Sequence, residues 1–208
     1  MNDPEKEIVR KGYDAIAARY LAARSEDSED VQLLQELVQR LSPGAKVLDA
    51  GCGAGVPVTR RLSESFSVTG VDFSEAQIRL ARQLVPRAQF VLQDITQLSF
   101  PDDSFDAICS YYAIIHIPRG EHSSILRNFY RMIRPSGLAL LCLGASDLER
   151  DIQEDYLGFR MYWSHFDSKT NLRMIQKTRF DLIWSRTVAD VSSPGSAHLF
   201  VLVQKPHP

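Results

Sequence analysis

Three aspartates have the type and placement to bind a ligand that carries hydroxyl groups and an exocyclic amine. Asp49 closes the apolar run Val47-Leu48 and opens the glycine stretch Ala50-Gly51-Cys52-Gly53-Ala54-Gly55. Asp72 ends a second apolar run, about 20 residues beyond that loop, where a carboxylate can accept from both hydroxyls of a ribose. Asp94 ends a third run and precedes Ile95. There a carboxylate can accept from an exocyclic amine while the Ile95 N–H donates to a ring nitrogen. Closely spaced glycines let backbone approach a ligand and permit positive φ. Taken singly, each acid is equally a helix N-cap and the loop a tight turn. Three acids at successive strand ends beside a glycine loop point instead to a ligand at the carboxyl edge of a sheet.

For proton transfer the chain offers His116, ending the run Ser110-Tyr111-Tyr112-Ala113-Ile114-Ile115-His116, and His165, within Trp163-Ser164-His165-Phe166. Imidazole titrates in the range a base needs. Each has an ordinary alternative: His116 as a structural or cofactor-shell histidine after a strand, His165 as the surface of an amphipathic lid. Tyr111, Tyr112 and Trp163 are candidates for orienting an acceptor, with at least one tyrosine assigned to packing. Tyr13 and Tyr20 lie on an N-terminal helix that either closes the pocket or docks two rings into the core. No metal is expected: Asp102 and Asp103 have no histidine or third carboxylate placed to join them. Cys52, Cys109 and Cys142 are odd in number, widely spaced and free of CxxC pairing. That argues against a disulfide framework or zinc site and for a reducing compartment.

The elements that must position these groups follow from periodicity. Strand-length apolar runs at 46–50, 67–71, 89–92, 105–110 and 138–143 alternate with helical patterns at 56–65, 75–84 and 119–133. This alternation predicts right-handed βαβ crossovers and a parallel sheet covered on both faces. Helices over 4–24 and 31–41 predict an N-terminal cover spanning 1–41. Residues 146–167 read as an aromatic lid insertion, followed by a helix over 169–177. Two closing strands, 181–188 and 198–204, joined through Ser192-Ser193-Pro194-Gly195, are expected to be antiparallel. The expected fold is α/β: one domain over 1–208, with a doubly wound, seven-stranded, mostly parallel sheet and an antiparallel last strand.

With 24 Lys+Arg against 26 Asp+Glu, the net charge of −2 provides no broad basic face for nucleic acid. The longest apolar run, residues 137–145, falls short of the roughly 20 residues that span a bilayer. No secretory signal pattern opens the chain. A cytoplasmic protein without membrane or nucleic-acid partners is expected, as a monomer or homodimer.

In order and spacing the motifs resemble those of class I S-adenosylmethionine-dependent methyltransferases of the small-molecule type. Residues 47–55 resemble the first motif, Gly70-Val71-Asp72-Phe73-Ser74 the ribose motif and Gln93-Asp94-Ile95 the adenine motif. Phe100-Pro101-Asp102-Asp103-Ser104-Phe105-Asp106 resembles the loop entering the fourth strand, and Arg134-Pro135-Ser136-Gly137 the turn before the fifth. The resemblance covers residues 45–145. It implies S-adenosylmethionine as cofactor and S-adenosylhomocysteine as product. It places Asp49, Ala50, Gly51 and Gly53 at the methionine end, Asp72 on the ribose, Phe73 against the adenine, and Asp94 with Ile95 at the adenine edge. The backbone near Ser110 and the ring of Tyr20 fall at the cofactor tail.

Methyl transfer from a sulfonium is an in-line displacement. The protein must align the acceptor, exclude water and, for some acceptors, take a proton. No Asn/Asp-Pro-Pro-aromatic run follows the fourth strand and no Pro-Cys nucleophile is present, so nucleobase chemistry is not expected. A small organic acceptor, methylated at N, O or S, is the expectation. The alternatives are a protein or RNA acceptor and a non-catalytic S-adenosylmethionine-binding module. A nicotinamide oxidoreductase fits less well: Val56 stands where the dinucleotide fingerprint takes a third small residue.

Overall fold

The computed structural model describes residues 3–190 and 195–207. Nine strands are formed among them: β1 (Lys46–Ala50), β2 (Ser67–Asp72), β3 (Gln89–Leu92), β4 (Phe105–Ser110), β5 (Ile133–Gly144), β6 (Leu148–Tyr156), β7 (Phe159–His165), β8 (Asp181–Ala189) and β9 (Ala197–Gln204). Seven build one sheet in the order β3-β2-β1-β4-β5-β9-β8. The pairs β1–β2, β1–β4, β2–β3 and β4–β5 are parallel, and β9 runs antiparallel to both β5 and β8. The expected mixed, doubly wound sheet is therefore present. Strand order reverses between β1 and β4, which opens a crevice at their carboxyl ends.

The central strands bury both faces. Leu48, Ile108, Leu141 and Val201 face one core; Val47, Cys109, Leu140 and Phe200 face the other. This two-sided burial is why the strands read as unbroken apolar runs rather than alternating ones.

Helices α1 (Pro4–Ala23), α2 (Glu29–Gln32), α3 (Gln35–Arg40), α4 (Val58–Leu62), α5 (Glu75–Leu84), α6 (His122–Met132) and α7 (Ser168–Lys177) complete the fold. The single helix expected over 31–41 is instead two short ones. Leu33 N, Leu34 N and Glu36 N bond three residues back, tightening the turn between them. That turn puts Leu33 and Leu34 together into the core. The helix expected over 56–65 is only Val58–Leu62, because Pro57 precedes it and the chain turns at Ser63. β5 starts at Ile133, earlier than expected, because Arg134 to Gly137 extend the strand rather than form a separate turn. Of the turn joining the closing strands, residues 192–194 lie outside the described residues.

The largest departure concerns residues 146–167, where β6 and β7 form a separate two-stranded hairpin. Leu157 and Gly158 both take positive φ, 53° and 86°, the combination a tight two-residue hairpin turn requires. The hairpin packs on α1, whose buried Val9 and Ile16 cluster with Met161 and Tyr162. Gly12 permits the approach: a Cβ there would stand 2.8 Å from Met161 Cε and 3.0 Å from the Arg160 carbonyl. Helix α1 and the hairpin thus form one covering layer, and α1 is anchored over the crevice. Asp14 Oδ1 accepts from Ser74 Oγ at 2.7 Å and from Ala76 N at 3.1 Å, at the start of α5.

Candidate active site

Under α1, at the carboxyl ends of the central strands, lies a cleft. Gly51, Gly53, Asp72, Phe73 and Ile95 line it from the sheet side. A second space adjoins it and is lined by Asp49 and Arg24. The two share Tyr20, Gly51, Gly53, Tyr111 and Tyr112. Gly51 sits at φ +81°, and a Cβ there would come within 2.1 Å of Ala113 Cβ. Only glycine lets the loop after β1 press against the chain leaving β4.

The three acids occupy distinct settings. Asp49 is 1% exposed, and its Oδ2 accepts from Thr59 Oγ1 at 2.5 Å. Burial, and then the charge of Asp72, push its carboxyl up to about 7. Asp72 is fixed by backbone: Oδ2 accepts from Gly53 N and Oδ1 from Ser74 N, each at 2.9 Å. Burial outweighs these donors and raises it to about 6. Asp94 caps the turn Ile95–Gln97 through Thr96 N at 2.8 Å, while its Oδ2 accepts from Lys6 Nζ at 3.3 Å. Among the described residues neither Asp49 nor Asp72 is paired with a cation. Two buried carboxylates held high by desolvation form a site that gains from a cationic ligand.

A pH dependence follows. Between about pH 4 and 7 the folded protein holds protons on Asp49 and Asp72 that the unfolded chain has released, so these two groups stabilise the fold less as pH rises through that window. Burial also holds His116 and His122 down to about 4, and their contribution has the opposite slope below their ordinary 6.5. Melting temperature therefore mixes the two effects, whereas ligand binding isolates the acids. Binding of a cationic ligand at pH 6 is expected to release protons and to tighten as pH rises to 8. Calorimetry in buffers of different ionisation enthalpy measures this; absence of proton release would show both acids already ionised.

His116 is buried and lines the cleft with both ring nitrogens engaged. Nδ1 lies 2.7 Å from the Tyr162 carbonyl, which can only accept, so Nδ1 carries the hydrogen. Nε2 is then the acceptor, and the Tyr13 hydroxyl donates to it at 2.9 Å. The neutral imidazole fixed by β7 therefore meets the cleft through a tyrosine supplied by α1. The Trp163 ring packs 5.3 Å from the His116 ring and 5.1 Å from Tyr156, behind His116 rather than on the cleft wall.

His165 is not brought to the cleft. Its Nδ1 bonds the Ser146 carbonyl at 2.7 Å, and its ring lies over Gly144, where a Cβ would be 2.2 Å from Nδ1. The expected lid is a hairpin whose last residue points back to the sheet. Tyr111 donates to the Asp30 carbonyl at 2.9 Å and packs on Phe200, so its hydroxyl is taken up by the core. Tyr112, at φ +54°, is clasped between Arg24 and His198. Ser110 Oγ donates to the Ala50 carbonyl at 2.8 Å, tying β4 to β1; both residues are fully buried and contribute no side chain to the cleft wall.

Sequence reasoning missed two cations. Lys6 Nζ bonds Asp94, Thr96 Oγ1 and Glu121, linking α1 to the third strand end. Arg24 is 9% exposed, pairs with the 4% exposed Asp30 at 3.0 Å and borders the space beside Asp49. The signal was available: Lys6, Tyr13, Tyr20 and Arg24 are spaced seven, seven and four residues apart, one stripe of a helix. Among the described residues no cluster of ligating side chains could hold a metal ion.

These residues fit S-adenosylmethionine. Unpaired buried carboxylates suit its positive charge, the glycine loop admits close contact, and the carboxamide of Gln77 lies buried at the cleft without a hydrogen-bond partner. Comparison with known proteins agrees. Residues 47–137 match the family model described as a methyltransferase domain. The chain is 37% identical over 106 residues to 2-methyl-6-phytyl-1,4-hydroquinone methyltransferase of Synechocystis, covering 49% of this chain and 32% of that relative's length. In fold it is similar to 1,6-didemethyltoxoflavin-N1-methyltransferase of Burkholderia thailandensis, solved with 1,6-didemethyltoxoflavin and S-adenosylhomocysteine bound. There the TM-score is 0.75 at 18% identity, over 99% of this chain and 92% of that one. It is also similar to the [4+2]-cyclase SpnF, with TM-score 0.72 and 17% identity over 96% of each chain. Strand order, motif order and family match converge: residues 47–137 match a methyltransferase domain, and the chain has the fold of the class I S-adenosylmethionine-dependent methyltransferases.

Proposed function

We propose that the protein transfers a methyl group from S-adenosylmethionine to a small organic acceptor, releasing S-adenosylhomocysteine. The observation that carries this reading is one cleft bounded by Asp72, Asp94 and the glycine loop, with Asp49 in the space adjoining it. Asp72 serves the ribose, Phe73 and Ile95 the adenine face and edge, and Asp94 the exocyclic amine. Asp49, Gly51, Gly53 and Tyr20 serve the methionine end, to which Arg24 adds a cation for the tail carboxylate.

When bound, the cofactor supplies a methyl group on sulfonium that departs from a neutral thioether. The chain's own residues align, enclose and deprotonate. Helix α1 closes over the cleft and excludes water. The Tyr13 oxygen receives the acceptor's proton as its own passes to His116 Nε2, and the Tyr162 carbonyl steadies the imidazolium through Nδ1–H. This relay favours an O–H or N–H acceptor over one with no proton to lose. His165 has no part in it.

We read residues 1–208 as one domain with 1–41 as its cover, working in the cytoplasm as a monomer or homodimer without nucleic-acid or membrane partners. Among the described residues no helix is long and apolar enough to cross a membrane. A second reading, a cofactor-binding module that performs no methyl transfer, is kept because the cyclase shares the fold. Titration with S-adenosylhomocysteine and with a nicotinamide dinucleotide, then transfer of labelled methyl to a panel of phenols, amines and thiols, separates them. Binding without turnover favours the module; dinucleotide binding alone overturns both.

A further inference from the structure

Gln77 follows Ser74, the N-cap of α5, by three places. In that position a glutamine side chain ordinarily turns back to the N-cap N–H, completing a reciprocal capping pair. Half of the pair is present: Ser74 Oγ accepts from Gln77 N at 3.2 Å. The other half is pre-empted, because Ser74 N already donates to Asp72 Oδ1 at 2.9 Å. The carboxamide is thereby released from its helix. It is 1% exposed, and neither Nε2 nor Oε1 has a hydrogen-bond partner. It lines the cleft with Asp72 and Gly53, and a Cβ on Gly53 would lie 3.7 Å from its Oε1.

A polar group left unpaired in the interior is costly, and folded proteins retain few. The chemistry of its neighbour says what would satisfy this one. Asp72 as a carboxylate only accepts, whereas each hydroxyl of a diol also has an oxygen seeking a donor. We infer that Gln77 donates to the ribosyl hydroxyls whose hydrogens Asp72 accepts, making it a positioning residue that selects a ribosyl over a deoxyribosyl ligand. The inference rests on the methyl-donor reading of the cleft.

The test titrates S-adenosylhomocysteine and its 2′,3′-dideoxy analogue into wild type, Gln77→Leu and Gln77→Met. The expected result is about tenfold weaker S-adenosylhomocysteine binding in both variants, with the dideoxy analogue binding all three alike. The unliganded Gln77→Leu protein should melt at or above the wild-type temperature, since an unpaired amide has been removed. Unchanged S-adenosylhomocysteine affinity, or a loss that persists with the dideoxy analogue, overturns the assignment. Wild-type protein that binds no S-adenosylhomocysteine overturns the cofactor reading itself. The Met variant serves if Leu fails to fold.

Discussion

His116→Ala is expected to lower kcat by roughly 100- to 10,000-fold, the range over which a positioned general base acts, while S-adenosylhomocysteine affinity stays near wild type. The expectation comes from a chain of three groups: the Tyr162 carbonyl, the imidazole and the Tyr13 hydroxyl, joined at 2.7 and 2.9 Å. Burial keeps the imidazole neutral, its pKa near 4, so it stands ready to accept throughout the physiological range. That same low value makes it a weak base alone, and transfer must be coupled to methyl transfer rather than precede it. Because His116→Ala also leaves a buried void, Tyr13→Phe is the cleaner partner. It keeps the ring that packs edge-on against Tyr20 at 5.1 Å and removes only the hydroxyl. A comparable fall in kcat with little change in KM is expected there, and His165→Ala should match wild type. If both His116 and Tyr13 can be replaced without loss of rate, alignment alone carries catalysis and no relay exists.

Asp72→Ala should weaken S-adenosylhomocysteine binding about 10- to 150-fold, the equivalent of losing roughly 1.5–3 kcal/mol of hydrogen bonding to a charged group. Each Asp72 oxygen already accepts one backbone N–H, from Gly53 and from Ser74. The carboxylate is thus preorganised and retains lone pairs for a ligand. The variant also strands those two N–H groups, so circular dichroism must confirm that it folds before calorimetry is interpreted. Wild-type affinity in a folded Asp72→Ala protein would remove the ribose role. The two variants are expected to separate the halves of the proposed site, Asp72→Ala changing binding and His116→Ala changing turnover.

Much of this was legible in the chain. Residues 47–55 announce a strand entering a glycine turn because buried parallel strands leave continuous apolar runs and only glycine tolerates the close approach to Ala113. Asp49, Asp72 and Asp94 could be placed at one sheet edge because parallel βαβ units bring successive strand ends to the same side. The hairpin was not legible. Leu157-Gly158 is a weak turn signal, and the burial of β7 is set by its contact with α1 rather than by its own pattern.

The sequence alone thus determined the mixed seven-stranded sheet and the resemblance to methyltransferases, because those depend on local periodicity and on motifs a few residues long. Tertiary structure decided which side chains meet beneath α1, and with them the proposed proton relay. Lys6 meets Asp94 across 88 residues, Tyr13 meets His116 across 103, and His116 meets Tyr162 across 46. No local propensity encodes such pairings. They arise because α1 docks its apolar residues on the hairpin and is tied by Asp14 to the start of α5, and that docking carries its polar stripe over the cleft.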